Sequence, residues 1–431
     1  MITQGVGRPA RVACALAASL LMACGGEGEE PTVPPCDPER AGTICTVVGD
    51  GTRGYGGDDG PALQAHIDTP QDMVVMPDGE LWLLDFNNYL VRAVDEGGSI
   101  RTVIGTGLLG DSPPPDESQI DALEAKFNHT TDLFVHEGYL YLAAWHNSRI
   151  KRVELSSMML ENFAGIGKRM LYSGNGGPAL EAAVDLPSSI AVDAAGQIAI
   201  MDQANQAIRV VDEEGNIHGL AGACVVEAAG TACEPDQIPV ACPDSNKTTC
   251  GDPKLTCDLP CTPGYGGDGE DAAQARMAQP FGQMADPAGR IAFDSDGNLI
   301  FADSNNHRIR KVDRDGIITT IAGTGVAGAS GDGGEAVRAK LNNPVDVEIA
   351  ADDTIYFTDT YNSCIRKITT DGIISTVVGH CGTGSASRGF AGDGGPPEDA
   401  LLARPYGIEL DGNRLFIADS YNHRIRVVNF D

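Results

Sequence analysis

The sequence predicts an all-β protein, a six-bladed β-propeller, and three observations lead to this prediction. A short segment recurs six times along the chain. Four strand-like runs, separated by turn residues, fill each interval between its copies. A stretch near the N-terminus, "TICTVVGDG", resembles the strand that should follow the last copy. We therefore expect four-stranded antiparallel blades and a ring closed by an N-terminal strand that completes the last blade.

The recurring segment sets the number of blades. Its second residue falls at positions 85, 144, 202, 303, 359 and 419, so successive copies lie 56 to 60 residues apart, except for one interval of 101. A period of this size with four strands is typical of a β-propeller. The copies read "LDFNNYLVRAV", "AAWHNSRIKRV", "MDQANQAIRVV", "ADSNNHRIRKV", "TDTYNSCIRKI" and "ADSYNHRIRVV".

These copies resemble the NHL-repeat family, whose short Asn-His-Leu-like motifs mark the blades of a propeller. The resemblance extends from about Thr43 onward, apart from a cysteine-rich insertion at about 224–262 that accounts for most of the long interval. It departs from the family pattern because the triplet reads Asn-His-Arg in two copies and the other four lack the histidine. The resemblance implies the propeller fold for residues 43–431.

The strand missing after the last copy is expected at the other end of the chain. "TICTVVGDG", from Thr43 to Gly51, matches "IITTIAGTG" and "IISTVVGHC", which are fourth strands of earlier blades. It precedes the first complete repeat, so it can serve as the fourth strand of the last blade. Closing a long loop adds little entropic cost.

The N-terminus is predicted to be a targeting segment. Residues 1–23 combine two arginines with an apolar stretch of signal-peptide length. The run Leu21 to Cys24 resembles the bacterial lipobox, which implies lipidation of Cys24; an ordinary signal peptide is the alternative. Residues 24–42 then form a flexible tether. We expect a protein held in the bacterial cell envelope by its lipid anchor, in the periplasm or at the cell surface.

The cysteines of an exported protein are expected to form disulfides. Cys36 lies close to Cys45 in the sequence, and Cys364 lies close to Cys381. Zinc binding is the alternative for the insertion, but that segment contains no histidine, and its connectivity stays open. The insertion cysteines are Cys224, Cys233, Cys242, Cys250, Cys257 and Cys261.

An acid and a base recur in the repeated segment and predict a structural ion pair. A turn centred on Asn306 and His307 would place Asp303 directly opposite Arg310 on the neighbouring strand. In the second blade both partners change together, to Ala144 and Lys151, as a structural pair predicts. We expect His307 and His423 to be exposed turn residues. The five pairs are Asp85–Arg92, Asp202–Arg209, Asp303–Arg310, Asp359–Arg366 and Asp419–Arg426.

Three further acids share one position at the start of the first strand, which lines the channel of a propeller. They are Asp72, Asp132 and Asp346. Carboxylates converging on an axis would favour a bound cation, and calcium is the candidate cofactor because it takes oxygen ligands. Solvated polar residues at strand starts are the alternative. In the fourth blade this position is obscured by the insertion.

The formal net charge of −31 argues against nucleic acid as a partner. We predict a monomeric, non-enzymatic binding or scaffolding module for a protein, a glycan or a small ligand. The alternative is a lyase or hydrolase with a metal in the central channel. The NHL-like amidating lyases imply channel histidines, and here only His129 lies near the start of a first strand.

Overall fold

The structure, a computed structural model, describes residues 36–114, 117–169, 172–224, 261–282 and 285–430. Six antiparallel sheets follow one another around a ring. The innermost strand of each sheet contacts the innermost strand of the next, and the sixth contacts the first. The predicted six-bladed β-propeller is confirmed. Within the described ranges, no helix is long and apolar enough to cross a membrane.

The strands are numbered in chain order. The closing strand is β1 (Thr43–Val48). Blade one contains β2 (Gly60–Pro61), β3 (Met73–Val75), β4 (Leu81–Asp85), β5 (Leu90–Val94) and β6 (Ser99–Ile104). Blade two contains β7 (Gln119–Asp121), β8 (Thr130–His136), β9 (Tyr139–Ala144), β10 (Arg149–Glu154) and β11 (Met159–Ala164). Blade three contains β12 (Gly177–Pro178), β13 (Pro187–Val192), β14 (Ile198–Asp202), β15 (Ala207–Val211) and β16 (Asn216–Ala221).

The second half of the chain forms the other three blades. Blade four contains β17 (Ile291–Phe293), β18 (Leu299–Asp303), β19 (Arg308–Val312) and β20 (Ile318–Ala322). Blade five contains β21 (Val347–Ile349), β22 (Ile355–Asp359), β23 (Cys364–Ile368) and β24 (Ile374–Val378). Blade six contains β25 (Ile408–Asp411), β26 (Arg414–Asp419), β27 (Arg424–Asn429) and β1. In blades one to three a short fifth strand from the connector joins the four expected strands.

Short 3₁₀ helices complete the secondary structure. One set forms the turns between the second and third long strands: Phe86–Asn88, Trp145–Asn147, Gln203–Asn205, Ser304–Asn306, Thr360–Asn362 and Ser420–Asn422. The other set lies in the connectors between blades: Ala62–Gln64, Ala122–Glu124, Ala179–Glu181, Ala272–Gln274, Ala336–Arg338 and Pro397–Asp399.

The closing strand lies where the sequence predicts it. β1 pairs antiparallel with β27, with Ile44 opposite Val428 and Thr46 opposite Arg426. Asp393, in the connector before blade six, accepts hydrogen bonds from both the backbone N–H and the hydroxyl of Thr46. Both ends of the described propeller therefore lie in one sheet, and the closure of the ring by an N-terminal strand is confirmed.

The register of the repeated turn differs from the prediction. Asp303 lies opposite Arg308, while Arg310 lies opposite Phe301. The reason is that a full 3₁₀ turn and a left-handed residue, His307 with φ 52°, occupy the loop. Asp303 and Arg310 therefore sit diagonally on one face of the sheet, which still allows contact. His307 is half-buried rather than exposed, and its Nδ1 accepts the backbone N–H of Asn343 in the next connector.

In five of the six blades the recurring arginine binds two side chains at once, one in its own blade and one in the connector, an arrangement called here a clamp. In blade four, Arg310 Nη1 lies 3.3 Å from Asp303 Oδ2, and both side chains are fully buried. Arg310 Nη2 also lies 2.8 Å from Asp268, which belongs to the glycine-rich connector. Burial raises the pKa of Asp303 to about 6, while Arg310 acts to lower it. The connector carboxylate therefore joins the arginine of its own blade, and the same contacts recur around the ring.

Four of the five predicted pairs repeat this arrangement with two carboxylates, and one does so with an amide. Arg209 of blade three binds Asp202 and, in the connector, the side-chain oxygen of Asn175. The nitrogen–oxygen distances within the five predicted pairs range from 3.3 to 3.5 Å. In blade two, where the pair is Ala144 and Lys151, the ammonium instead binds Asp111 at 2.6 Å.

Disulfides are present, as predicted. Cys36 is bonded to Cys45 and Cys364 to Cys381. Cys224 is bonded to Cys261, so the two ends of the insertion lie 4.9 Å apart between their Cα atoms. The remaining insertion cysteines, Cys233, Cys242, Cys250 and Cys257, lie outside the described residues, as does Cys24.

The compact unit formed by the propeller begins at Cys36. Residues 36–42, which the sequence assigns to a flexible tether, belong to this unit. Cys36 is bonded to β1, and the side chain of Thr43 donates a hydrogen bond to the carbonyl of Arg40. The predicted signal peptide, residues 1–23, lies outside the described residues.

Candidate functional site: the central channel

The innermost strands β3, β8, β13, β17, β21 and β25 surround the central channel. One residue at the start of each strand occupies an equivalent position and faces the same region. Reading around the ring, these residues are Asp72, Asp132, Ser189, Arg290, Asp346 and Gly407. The predicted acids thus share a layer, and blade four contributes an arginine to it.

Arg290 lies among the three carboxylates. Its Nη1 is 3.2 Å from Asp346 Oδ2 and 3.5 Å from Asp132 Oδ1, and it also contacts Asp72. Its Nη2 donates to the backbone carbonyls of Gln71 and Thr131. The guanidinium therefore supplies the positive charge at the place where the sequence predicts calcium. Calcium binding itself stays a prediction.

The same carboxylates also join neighbouring blades. Asp72 accepts the backbone N–H of Leu133 in the next inner strand at 2.8 Å. Asp132 accepts that of Ile190, and Asp346 accepts that of Ile408 at 2.7 Å. Each acid thus binds the strand that follows it around the ring. This layer holds the inner strands together as well as balancing the charge of Arg290.

The pKa values reflect burial of this layer. Burial raises the pKa of Asp346 to about 7, against the lowering effect of Arg290. Burial also raises the pKa of Asp132 well above its usual range, and the charges of Asp72 and Asp346 add to the increase. One guanidinium offsets only part of the cost of enclosing three carboxyl groups.

A second layer lies two residues further along each strand, where side chains again point to the channel. Four of its residues are apolar and two are acidic. They are Val74, Phe134, Ala191, Ala292, Glu348 and Glu409. The acids come from adjacent blades, five and six, so the charge is confined to one side of the channel.

Glu348 and Glu409 differ from the first-layer acids in having few partners. Glu409 accepts the backbone N–H of Val75 at 3.2 Å. In the part of the chain that the structure describes, Glu348 has no side-chain hydrogen bond or ion pair. Burial raises the pKa of Glu348 well above its usual range, and Glu409 raises it further. Burial raises the pKa of Glu409 to about 8, although its bond to Val75 acts to lower it.

The two layers enclose a cavity of about 500 Å³. Arg290 and the three aspartates form its floor, and the cavity extends along the inner strands to Pro77, Val192 and Ile349. Arg290 is 4% exposed, which shows how tightly the floor is packed. A cavity of this size, in which apolar walls meet a set of convergent polar groups, suits a small molecule.

Histidines lie elsewhere in the described structure. None lines the described wall of this cavity. His129 sits in the turn before β8, where its Nδ1 lies 3.0 Å from Nδ1 of His146. The two rings also contact Phe86, Tyr89 and Trp145. The channel thus brings together the predicted aspartates but not the imidazoles that a lyase of the amidating kind would require.

The sequence interpretation missed Arg290, Glu348 and Glu409. A signal for Arg290 was present, because Arg290 precedes Asp303 by the same number of residues that separate Asp346 from Asp359 and Asp72 from Asp85. The two glutamates carry no repeated signature, because most blades have an apolar residue at their position. Only the period of two along a strand could have placed them on the channel wall.

Comparisons with known proteins agree with this fold. The family model described as "Teneurin NHL domain" matches residues 325–390, which span the connector after blade four, all four strands of blade five and part of the connector that follows. The chain is 24% identical to chicken (Gallus gallus) Teneurin-1 over 430 aligned positions, covering 94% of this chain and 14% of Teneurin-1. It thus spans about a seventh of that relative's length. The prediction of an NHL-type propeller is confirmed for the fold.

Solved structures give the same result. A Bacteroides thetaiotaomicron protein of unknown function is 15% identical, with a TM-score of 0.57 over 89% of this chain and 74% of that one. A protein from the same organism, described as an auxiliary nutrient binding protein, is also 15% identical, with a TM-score of 0.55 over 89% and 75%. At this identity the likeness shows the fold alone.

Proposed function

We propose that this protein is a binding module that takes a small ligand into its central channel. The observation that carries the proposal is the cavity of about 500 Å³, with its packed floor at Arg290. The floor limits how far a ligand can enter, and the inner strands hold the walls in fixed positions. A rigid, preformed wall lowers the cost of ordering the site on binding.

The cellular setting belongs to the same proposal. The lipobox-like run ending at Cys24 supports an anchored protein in the bacterial envelope. A solved protein of this fold is described as an auxiliary nutrient binding protein, and this supports a binding role. A cavity of this size suits a small molecule, or one unit of a glycan or peptide, better than a folded partner. Within this proposal the protein acts as a non-enzymatic, monomeric module.

The test is a thermal-shift screen with the soluble chain, residues 25–431. The compounds are sugars, amino acids, amines and nucleosides. The matched variants are Ala292→Phe, which fills the channel, and Ala273→Phe, which adds the same ring in a connector. Ala273 is exposed, and the equivalent connectors expose Leu63 and Leu123.

A ligand of the channel should raise the melting temperature of the wild type and of Ala273→Phe but not of Ala292→Phe. An equal rise in all three proteins would place the binding site outside the channel. A screen in which no compound stabilises the wild type would count against a small-molecule module. It would then favour a macromolecular partner on the outer surface.

A further inference from the structure

Acidic groups outnumber basic groups in the described lining of the channel, and this excess points to the chemistry of the ligand. Five carboxyl groups line the cavity: Asp72, Asp132, Asp346, Glu348 and Glu409. Arg290 is the sole basic residue in the described lining. The floor therefore already uses the available positive charge, and the two glutamates above it remain without a cation.

Glu348 provides the second observation. Its carboxyl group faces the cavity, and within the described ranges it has no hydrogen-bond donor. Glu348 is half-buried, and a carboxylate withdrawn from bulk water without a hydrogen-bond donor is costly to maintain. Glu409, on the adjacent strand, offers a second acceptor beside it, satisfied by a single backbone N–H. A ligand that brings hydrogen-bond donors between these two strands would supply the partners that both carboxyl groups lack.

The rest of the wall determines the kind of donor. Val74, Phe134, Ala191 and Ala292 complete the layer, and their side chains offer no oxygen atoms. Calcium takes six to eight oxygen ligands, which two carboxyl groups and an apolar wall supply poorly. An ammonium or guanidinium group on an apolar body matches both halves of the layer. Its cationic head would meet the acids, and its body would contact the apolar side.

We infer that the channel selects an organic cation, a primary ammonium or guanidinium group attached to an apolar body, bound by Glu348 and Glu409. This inference rests on the proposed function, because it names the ligand class of the same cavity. Each glutamate would accept a charge-assisted hydrogen bond from the cationic head. Arg290 would stay in the floor, bound to its three aspartates.

The acidic residues around Glu348 and Glu409 couple ligand binding to the release of protons. Glu348 faces Glu409, Asp346, Asp72 and Asp132, and Glu409 also faces Asp411. Because burial and these acids raise the pKa of both glutamates, the pair holds its protons to a higher pH than free carboxyl groups do. A cationic ligand favours the ionised form and should release protons as it binds. Its affinity should therefore rise with pH towards about 9, the region above the pKa of about 8 for Glu409.

The experiment uses paired amines and alcohols of the same shape: butylamine with butanol, and 2-phenylethylamine with 2-phenylethanol. Binding is measured by calorimetry at pH 8 to the chain 25–431, in two buffers of different ionisation enthalpy. The variants are Glu348→Gln and Glu409→Gln, with Glu398→Gln as the matched control at an exposed connector position. Melting curves of each variant verify folding.

We expect at least one amine to bind the wild type and Glu398→Gln alike, at least tenfold more tightly than its alcohol. Either channel variant should weaken that amine at least tenfold, and binding should release protons. Equal affinity for amine and alcohol, or failure of every amine to bind, would overturn the inference. So would a calcium ion that binds in place of the amines and is lost in Glu348→Gln.

These outcomes are separable from failure of the proposed function. A neutral compound that binds the wild type but not Ala292→Phe would refute the organic cation and retain the channel as the site. Binding that survives in Ala292→Phe would refute the channel itself, whatever the charge of the compound.

Discussion

The molecule contains two systems of acidic side chains, the fully buried aspartates of the blades and the half-buried glutamates of the channel, and they differ in how well they are satisfied. In the clamps of the blades, each buried aspartate meets an arginine, an asparagine side chain and a backbone N–H, as Asp359 does with Arg366, Asn362 and Asn342. In the channel, Glu348 has none of these partners in the described structure. The clamps repeat around the ring, whereas the two glutamates occur in adjacent blades only. The repeated residues thus belong to the architecture of the blades, whereas the two glutamates that depart from the repeat belong to the candidate site.

This difference has an energetic reason. A carboxylate inside a blade must be fully paired, because an unpaired charge there costs several kcal/mol. A half-buried carboxyl group on the channel can remain unpaired at less cost, because the cavity admits water and burial raises its pKa towards the neutral form. The proposed binding site would then come at some expense in stability, which is a common feature of functional sites.

The largest expected effect comes from removing β1, the strand that closes the ring of blades. Deleting residues 36–48 removes β1, the partner of β27 and of Asp393. The last blade would then expose an open edge and lose one side of its core. We expect no cooperative thermal unfolding of this variant, measured by circular dichroism. Deleting residues 25–35 alone is the control, and a similar loss there would contradict the assignment of β1.

The next prediction compares two clamps. Arg366→Met leaves Asp359 and Asp332 without their cation, so we expect a loss of about 3–5 kcal/mol in the free energy of unfolding. Lys151→Met in blade two leaves Asp111 with its ion pair to Arg149, and this carboxylate is 38% exposed and can be hydrated. That loss should be about 1–2 kcal/mol. Urea denaturation measures both, and equal losses would show that the buried aspartate is not what makes the clamp costly to break.

The floor of the channel should behave like a clamp, with a pH dependence of its own. Arg290→Met leaves three buried acids without their cation, and the raised pKa values of Asp132 and Asp346 would rise further above those of the unfolded chain. An acid with a raised pKa in the folded state destabilises the fold as pH increases from the unfolded to the folded pKa. We expect a loss of about 3–5 kcal/mol at pH 8 and a smaller loss at pH 5. A loss independent of pH would mean that Arg290 acts through packing alone.

The sequence predicted the clamps better than the channel, for a physical reason. Six copies of one segment identify the blades, and the joint change to Ala144 and Lys151 identifies the ion pair. The diagonal register of the aspartate and the arginine was not predicted. The loop between them contains a 3₁₀ turn and an αL residue such as His307, and the amino-acid sequence alone does not determine this conformation. Closure by β1 was predicted because its sequence matches other fourth strands.

The channel was predicted in part. Asp72, Asp132 and Asp346 share a position that the repeat makes visible, so their convergence could be inferred. Arg290 was hidden because the insertion disturbs the start of blade four, and the counter-charge was therefore assigned to calcium. Glu348 and Glu409 occupy positions where other blades have Val74 or Ala292. A residue that departs from the repeat is hard to interpret until the structure shows that its side chain faces a cavity.

The smallest expected effect concerns calcium. Because Arg290 lies among the three aspartates, we expect the melting temperature to be the same in calcium and in EDTA, for the wild type and for Asp132→Asn. A calcium-dependent rise in the wild type that shrinks in Asp132→Asn would restore the ion to the channel floor. An equal rise in both proteins would place calcium at another site, such as the acidic connectors.

One measurement tests the distinction between the two systems most directly: the free energy of unfolding at pH 8 for two variants that each neutralise one acid. Asp359→Asn disrupts a satisfied clamp, and we predict a loss of about 2 kcal/mol or more. Glu348→Gln removes a carboxyl group whose ionisation the fold disfavours, and we predict a gain of about 1 kcal/mol that shrinks as the pH falls to 5, because the unfolded chain then also begins to hold that proton. Opposite signs at pH 8 would support the account. A loss in both variants would contradict it, because Glu348 would then be a structural residue like Asp359.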